Sequence, residues 1–131
     1  MIASLLAALA LATPSASFPG IFVTGGFLTP SGNIACNVGR LGPKTTGPFA
    51  IGCSVYSKRS AKGNSVWWMT TTGPVSLGYF AADPASDYPK LAYGKKYTWR
   101  GITCTSATAG LRCRNKGGHG FFLSRGSQRV F

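Results

Sequence analysis

The chain has 131 residues, with fourteen Lys and Arg against two carboxylates, Asp83 and Asp87, and a formal net charge of +12. That length accommodates one small domain, and two aspartates in one turn-like stretch are a poor pair for glycoside hydrolysis. So large a positive surplus points to an anionic partner or surface, the competing reading being a generic basic surface that keeps copies apart.

Residues 1–17, MIASLLAALALATPSAS, read as a signal peptide rather than as part of the fold. Residues 1–12 are an apolar run of h-region length, too short to cross a bilayer as a helix. Pro14 ends the run, and Ser15, Ala16 and Ser17 are the small residues a signal peptidase needs, which places cleavage after Ser17. A buried N-terminal helix is the alternative. The segment lacks a basic n-region, so the natural start is expected upstream of Met1. No cysteine at the cleavage site supports a lipid anchor. No later stretch is long and apolar enough to span a membrane as a helix. The expected location is extracytoplasmic, secreted or in the cell envelope. The expected organisation is a signal peptide at 1–17, a lead-in at 18–26 and a single β domain at 27–131.

After the leader, short apolar runs with β-branched and aromatic residues alternate with Gly, Pro, Ser and Asn, and eighteen Gly and eight Pro leave no room for a long amphipathic helix. The predicted fold is all-β: a small antiparallel barrel or sandwich built from hairpins and stapled by disulfides. Pro30-Ser31-Gly32-Asn33 reads as a tight turn leading into a strand that carries Cys36. Residues 39–52 read as a loop, 51–57 as a strand, and 58–64 as a basic turn around Lys58, Arg59 and Lys62. In the next strand the adjacent Trp67 and Trp68 must face opposite ways. One fills the core; the other packs under a loop or serves as a stacking platform. Residues 81–94 form a long connection in which Asp83 and Asp87 look like turn and cap residues.

Residues 95–104 read as one strand mixing Lys95, Lys96, Tyr97, Trp99 and Arg100, with a bulge at Gly101. The sharpest positional statement concerns residues 102–116. Ile102 and Cys104 share one face with Leu111 and Cys113, a turn at 107–110 uses Gly110 at positive φ, and Arg112, Arg114 and Lys116 form a cationic row on the other face. A strand follows at 121–124, residues 125–127 turn the chain, and 128–131 end it. Cys36, Cys53, Cys104 and Cys113 contain no CxxC pair, and one histidine cannot complete a finger-type zinc site, so disulfides are expected. Of the three possible pairings, Cys36–Cys53 with Cys104–Cys113 is preferred, because each pair is nearest in sequence and flanks a turn-rich stretch. TPSGNIACNV and TSATAGLRCRN form a weak internal echo, consistent with two related hairpins each tied by a disulfide.

Phe27-x-Thr29-Pro30-Ser31-Gly32-Asn33-Ile34-x-Cys36, Tyr93-Gly94, Gly101-x-Thr103-Cys104-x-Ser106, Gly110-x-x-Cys113-x-Asn115 and Gly118-His119-Gly120-Phe121-x-Leu123-Ser124-Arg125 together resemble a family of small secreted actinobacterial proteins, many mycobacterial, that carry a domain of unknown function. The resemblance implies export and a small β domain, and it supplies no activity.

Catalysis is poorly supplied. His119 is the only histidine, no G-x-S-x-G elbow occurs, and Asp83 and Asp87 are the only carboxylates that could orient it. A ribonuclease-like hydrolase with His119 as acid and Arg112 or Lys116 on phosphate lacks a second base. A structural ring, with its tip on Asn115 or a backbone carbonyl, is the plainer role for His119. No metal or cofactor is expected. The favoured reading is a non-catalytic binding module for an anionic envelope polymer or an acidic protein, using Arg112, Arg114, Lys116, Lys95, Lys96 and Arg100. Nucleic acid is a weaker version of the same electrostatics. A small hydrolase or effector and a protein-inhibitor module are the alternatives.

Overall fold

A computed structural model describes residues 18–60, 63–80 and 87–131; the expected signal peptide, Lys62 and Asp83 lie outside the described residues. Among these residues ten strands follow in order: β1 (Ile21–Leu28), β2 (Ile34–Leu41), β3 (Phe49–Ser60), β4 (Gly63–Thr70), β5 (Ser76–Phe80), β6 (Lys96–Trp99), β7 (Ile102–Ala107), β8 (Gly110–Arg114), β9 (Gly120–Leu123) and β10 (Gln128–Val130). Each pairs with its sequence neighbour, giving two antiparallel five-stranded meanders, β1-β2-β3-β4-β5 and β6-β7-β8-β9-β10. The break falls between β5 and β6, so the sheets are not closed into a barrel. They enclose a common core as a sandwich does, which removes the barrel alternative.

The core follows from alternation. Phe27, Val38, Ile51, Val55 and Met69 from the first sheet meet Ile102, Leu111, Phe121 and Leu123 from the second. Both disulfides lie in this layer, as expected. Cys36 pairs with Cys53 across β2 and β3, and Cys104 with Cys113 across β7 and β8, with Cα separations of 4.1 and 4.0 Å. The internal echo is not a structural repeat. Cys113 is bonded within its own hairpin, whereas Cys36 faces Phe27 in its hairpin and is bonded to the following strand.

Three local expectations change. Residues 21–26, expected in a loose lead-in, pair with β2 as part of β1. The loop expected at 39–52 shrinks to 42–48, because β2 and β3 stay in register out to Arg40 and Phe49. The bulge expected at Gly101 is instead a two-residue hairpin loop: Arg100 and Gly101 both have positive φ, 53° and 83°, the twist that suits a tight β-hairpin. Arg100 is the one non-glycine residue with positive φ among the described residues, so its type did not announce the turn.

The first sheet is buried on both faces along β2 and β3. Its outer side is floored by a row of mostly small residues, Gly26, Asn37, Gly52, Trp68 and Ser76. Phe18 stacks obliquely on Trp68 at 5.8 Å, and the Tyr88 ring lies so close over Gly26 that a Cβ there would fall 2.6 Å from it. Trp67 fills the core and Trp68 packs under the lead-in, so the stacking-platform reading of the outer tryptophan gives way to packing.

Two phenols sit in this framework. Tyr97, tilted against Phe27 at 4.7 Å, has its pKa pushed up by burial; Tyr88 is pushed up by burial first, then by Asp87 and Tyr97. A raised folded-state pKa means that folding favours the neutral phenol. The stability is full below the ordinary pKa of 10.0 and is lost as pH rises through the folded values. An alkaline ultraviolet titration should show late ionisation that Tyr88→Phe and Tyr97→Phe remove; a native titration without a late step would contradict these environments.

Candidate functional site

The second sheet alternates strictly, buried and open, along β7 and β8, so it has a free outer face. One row across that face runs Lys96, Thr105, Arg112, Phe122, Arg129; the next runs Thr98, Thr103, Arg114, Gly120. Phe131 extends the second row through two main-chain hydrogen bonds with Gly120. Threonine and long-stemmed arginine suit an exposed pleated surface, where the stem covers apolar area and the charge stays in water.

The guanidiniums are not free-swinging. Arg112 lies over the Phe131 ring at 4.2 Å, and Arg129 over Phe122 at 4.6 Å. Phe122 rests against Gly110 and Phe131 against Gly120, where an added Cβ would come within 2.6 and 2.7 Å of a ring atom. A methyl at Gly118 would meet the Arg114 guanidinium at 3.7 Å, and the Lys116 stem lies across Gly101. Asp87, the only acidic side chain among the described residues, belongs to the connection before β6 and not to this face.

Of the six expected binding residues, Lys96, Arg112 and Arg114 share this face and Lys116 ends it. Lys95 is exposed just before β6, with its carbonyl accepting from the Ser106 N–H at 3.0 Å. Arg100 leaves the group. Its guanidinium stacks on Phe49 of the first sheet at 4.1 Å, with Arg40 on the same ring at 3.9 Å and Trp99 edge-on at 5.5 Å. Two cations that close to one centroid occupy opposite faces of the ring. Arg129, Arg40 and their ring partners escape the sequence reading because register and sheet stacking, not spacing along the chain, bring them together.

His119 sits in the turn before β9, and its main chain is tied to Asn115 twice. The His119 N–H donates to Asn115 Oδ1 at 3.1 Å, and its carbonyl accepts from the Asn115 N–H at 2.9 Å. The expected contact between the ring tip and Asn115 is therefore a main-chain contact. Asn115 Oδ1 also accepts from the Gly117 N–H, while its Nδ2 donates to the Thr70 and Gly73 carbonyls of the first sheet. Among the described residues no carboxylate is hydrogen-bonded to the His119 ring, and no His, Cys, Asp or Glu cluster could hold a metal ion.

At the opposite end the two echoed turns, 29–34 and 107–110, line one open cleft of about 160 Å³ with Tyr93, Ser124 and Arg125. Its Thr29, Asn33 and Ser124 side chains are already engaged within their own turns or with Ser57. The cleft thus presents mainly Tyr93, Thr108 and Arg125.

Fold and face together define a disulfide-stapled, two-sheet β domain with one open cationic sheet surface. The chain belongs to a family of unknown function, DUF6636, whose model matches residues 3–131. No curated protein and no solved structure matches it significantly. Two disulfides fit an oxidising, extracytoplasmic compartment, and no helix among the described residues is long and apolar enough to cross a membrane.

Proposed function

We propose that this protein is a non-catalytic binding module, and that the outer face of its second sheet takes an anionic envelope polymer or an acidic protein surface. The observation that carries this reading is the placement of Lys96, Arg112, Arg114 and Arg129 on one open face that holds no acidic side chain among the described residues. A rigid antiparallel sheet presents those charges with little ordering left to do on binding. The same field steers an anionic partner in and is screened by salt. The alternative is a hydrolase that uses the His119 ring, whose signature would be activity on RNA or cell-wall substrates lost in a folded His119→Ala variant.

Retention on a phosphorylated or sulfated matrix should fall by about a hundredfold between roughly 50 and 200 mM salt if each of the four cations contacts one anion. Reversing Arg112 and Arg114 to Glu should weaken retention far more than reversing Lys44 and Lys58, which are exposed on the other sheet and its loop and change net charge equally. Equal losses would leave net charge as the whole cause and remove the site.

A further inference from the structure

The outer rows place cations on β8 and β10, but the guanidiniums do not stay above their own strands. Arg129 folds back from β10 over Phe122 of β9. Arg112 reaches from β8 over the Phe131 ring, which itself lies on Gly120 of β9. Arg114, also from β8, extends to Gly118 just before β9. Three guanidiniums from the two strands that flank β9 therefore lie over the same open face, beside the Phe131 and Phe122 rings and Gly118.

Arg112 and Arg114 are alternate residues of β8, a separation of about 6.7 Å along the strand. That interval is close to the spacing of phosphates in an extended phosphodiester chain. The guanidinium fork matches a phosphate bidentately. The rings between the charges are already used: each carries a guanidinium on its face and rests against a glycine. A guanidinium on one face of each ring reduces the platform left for bases, although Phe131 stays 39% exposed; stacking on aromatic side chains supplies much of the affinity of single-stranded nucleic-acid binders. A chain that repeats the phosphodiester interval without bases meets both conditions. Glycerol-phosphate polymers do so, because the same carbon-and-ester-oxygen bridge joins their phosphates as in a nucleic-acid backbone.

We propose that the second sheet binds a phosphodiester-linked polyol across its open outer face, with Arg114, Arg112 and Arg129 each engaging one phosphate. This rests on the anionic-partner reading above and names its ligand class.

The test is titration of the oxidised protein at about 0.1 M salt with three probes of equal charge: a glycerol-phosphate oligomer, an oligothymidylate and an oligogalacturonate. The glycerol-phosphate oligomer should bind at least as tightly as the oligothymidylate and about tenfold more tightly than the oligogalacturonate. Arg112→Gln, Arg114→Gln and Arg129→Gln should each lower the slope of log affinity on log salt by about one, and Lys58→Gln should not. All four side chains are exposed, and near-ultraviolet circular dichroism checks that each variant is folded. Tighter binding of the oligothymidylate would replace the proposal with a nucleic-acid site. Equal binding of the oligogalacturonate, or an Arg129→Gln variant with an unchanged slope, would overturn it while leaving the broader anionic reading in place. No binding of any probe would end both.

Discussion

Replacing Asn115 with Ala should cost about 3–4 kcal/mol of unfolding free energy, a large share of the stability of a domain this small. Asn115 is 5% exposed, and its side chain makes four hydrogen bonds. Two go to carbonyls at the end of β4 and in the turn that follows, at 2.9 and 2.8 Å; two come from the N–H groups of Gly117 and His119. The substitution strands all four partners, and a stranded polar group costs more than a hydrogen bond contributes on average. The loss also falls on the seam between the sheets. There the Lys116 N–H reaches the Thr71 carbonyl, and Gly117 approaches the Thr72 carbonyl too closely for any Cβ. Asn115→Asp should be nearly as harmful, because it turns the amide nitrogen that donates to both carbonyls into an oxygen facing them. His119→Ala should cost less than about 1 kcal/mol, as its hydrogen bonds here are main-chain. Urea unfolding measures all three, and an Asn115→Ala loss below that of His119→Ala would refute the inter-sheet tie.

Reducing both disulfides should leave the chain largely unfolded at ambient temperature. Closing loops with sequence separations of 17 and 9 residues restricts the unfolded chain, and loops of those sizes correspond to roughly 3 and 2.5 kcal/mol. The two together approach the whole stability of a small domain. All four cysteines are 0% exposed and lie in the shared core, so replacing either pair with Ala adds a cavity term to the lost constraint. The Cys36–Cys53 pair should be the more costly, since its loop is longer and it joins the two most deeply buried strands of the first sheet. The check is near-ultraviolet circular dichroism before and after reduction, with thiol labelling to confirm four free groups. Retention of the native spectrum by the fully reduced protein would show that the core holds without its bridges.

The alkaline titration and the salt series ask different questions of the same scaffold. The first reports how tightly Tyr88 and Tyr97 are held against Gly26 and Phe27. The second reports whether Arg112 and Arg114 act as a site or only as charge.

Residues 102–116 were legible one by one in the sequence: the inward Ile102, Cys104, Leu111 and Cys113, the Gly110 turn, the outward Arg112 and Arg114, and the Cys104–Cys113 bridge all stand as their alternation requires. A strand's two-residue period and the few residues that tolerate positive φ are local properties, so a single sequence carries them. The positive charge and the pairing of near cysteines are of the same kind. Tertiary structure alone decided that the first sheet is covered on its outer face by Phe18 and Tyr88 while the second stays open, that Arg100 leaves the cationic row for Phe49, and that Asn115 rather than His119 anchors the seam. It also set Arg129 and Arg112 on the Phe122 and Phe131 rings and Arg114 beside Gly118, all on one face. Those relations depend on strand register and on which faces two sheets turn toward each other, and the energy that selects them is summed over contacts between residues far apart in the chain.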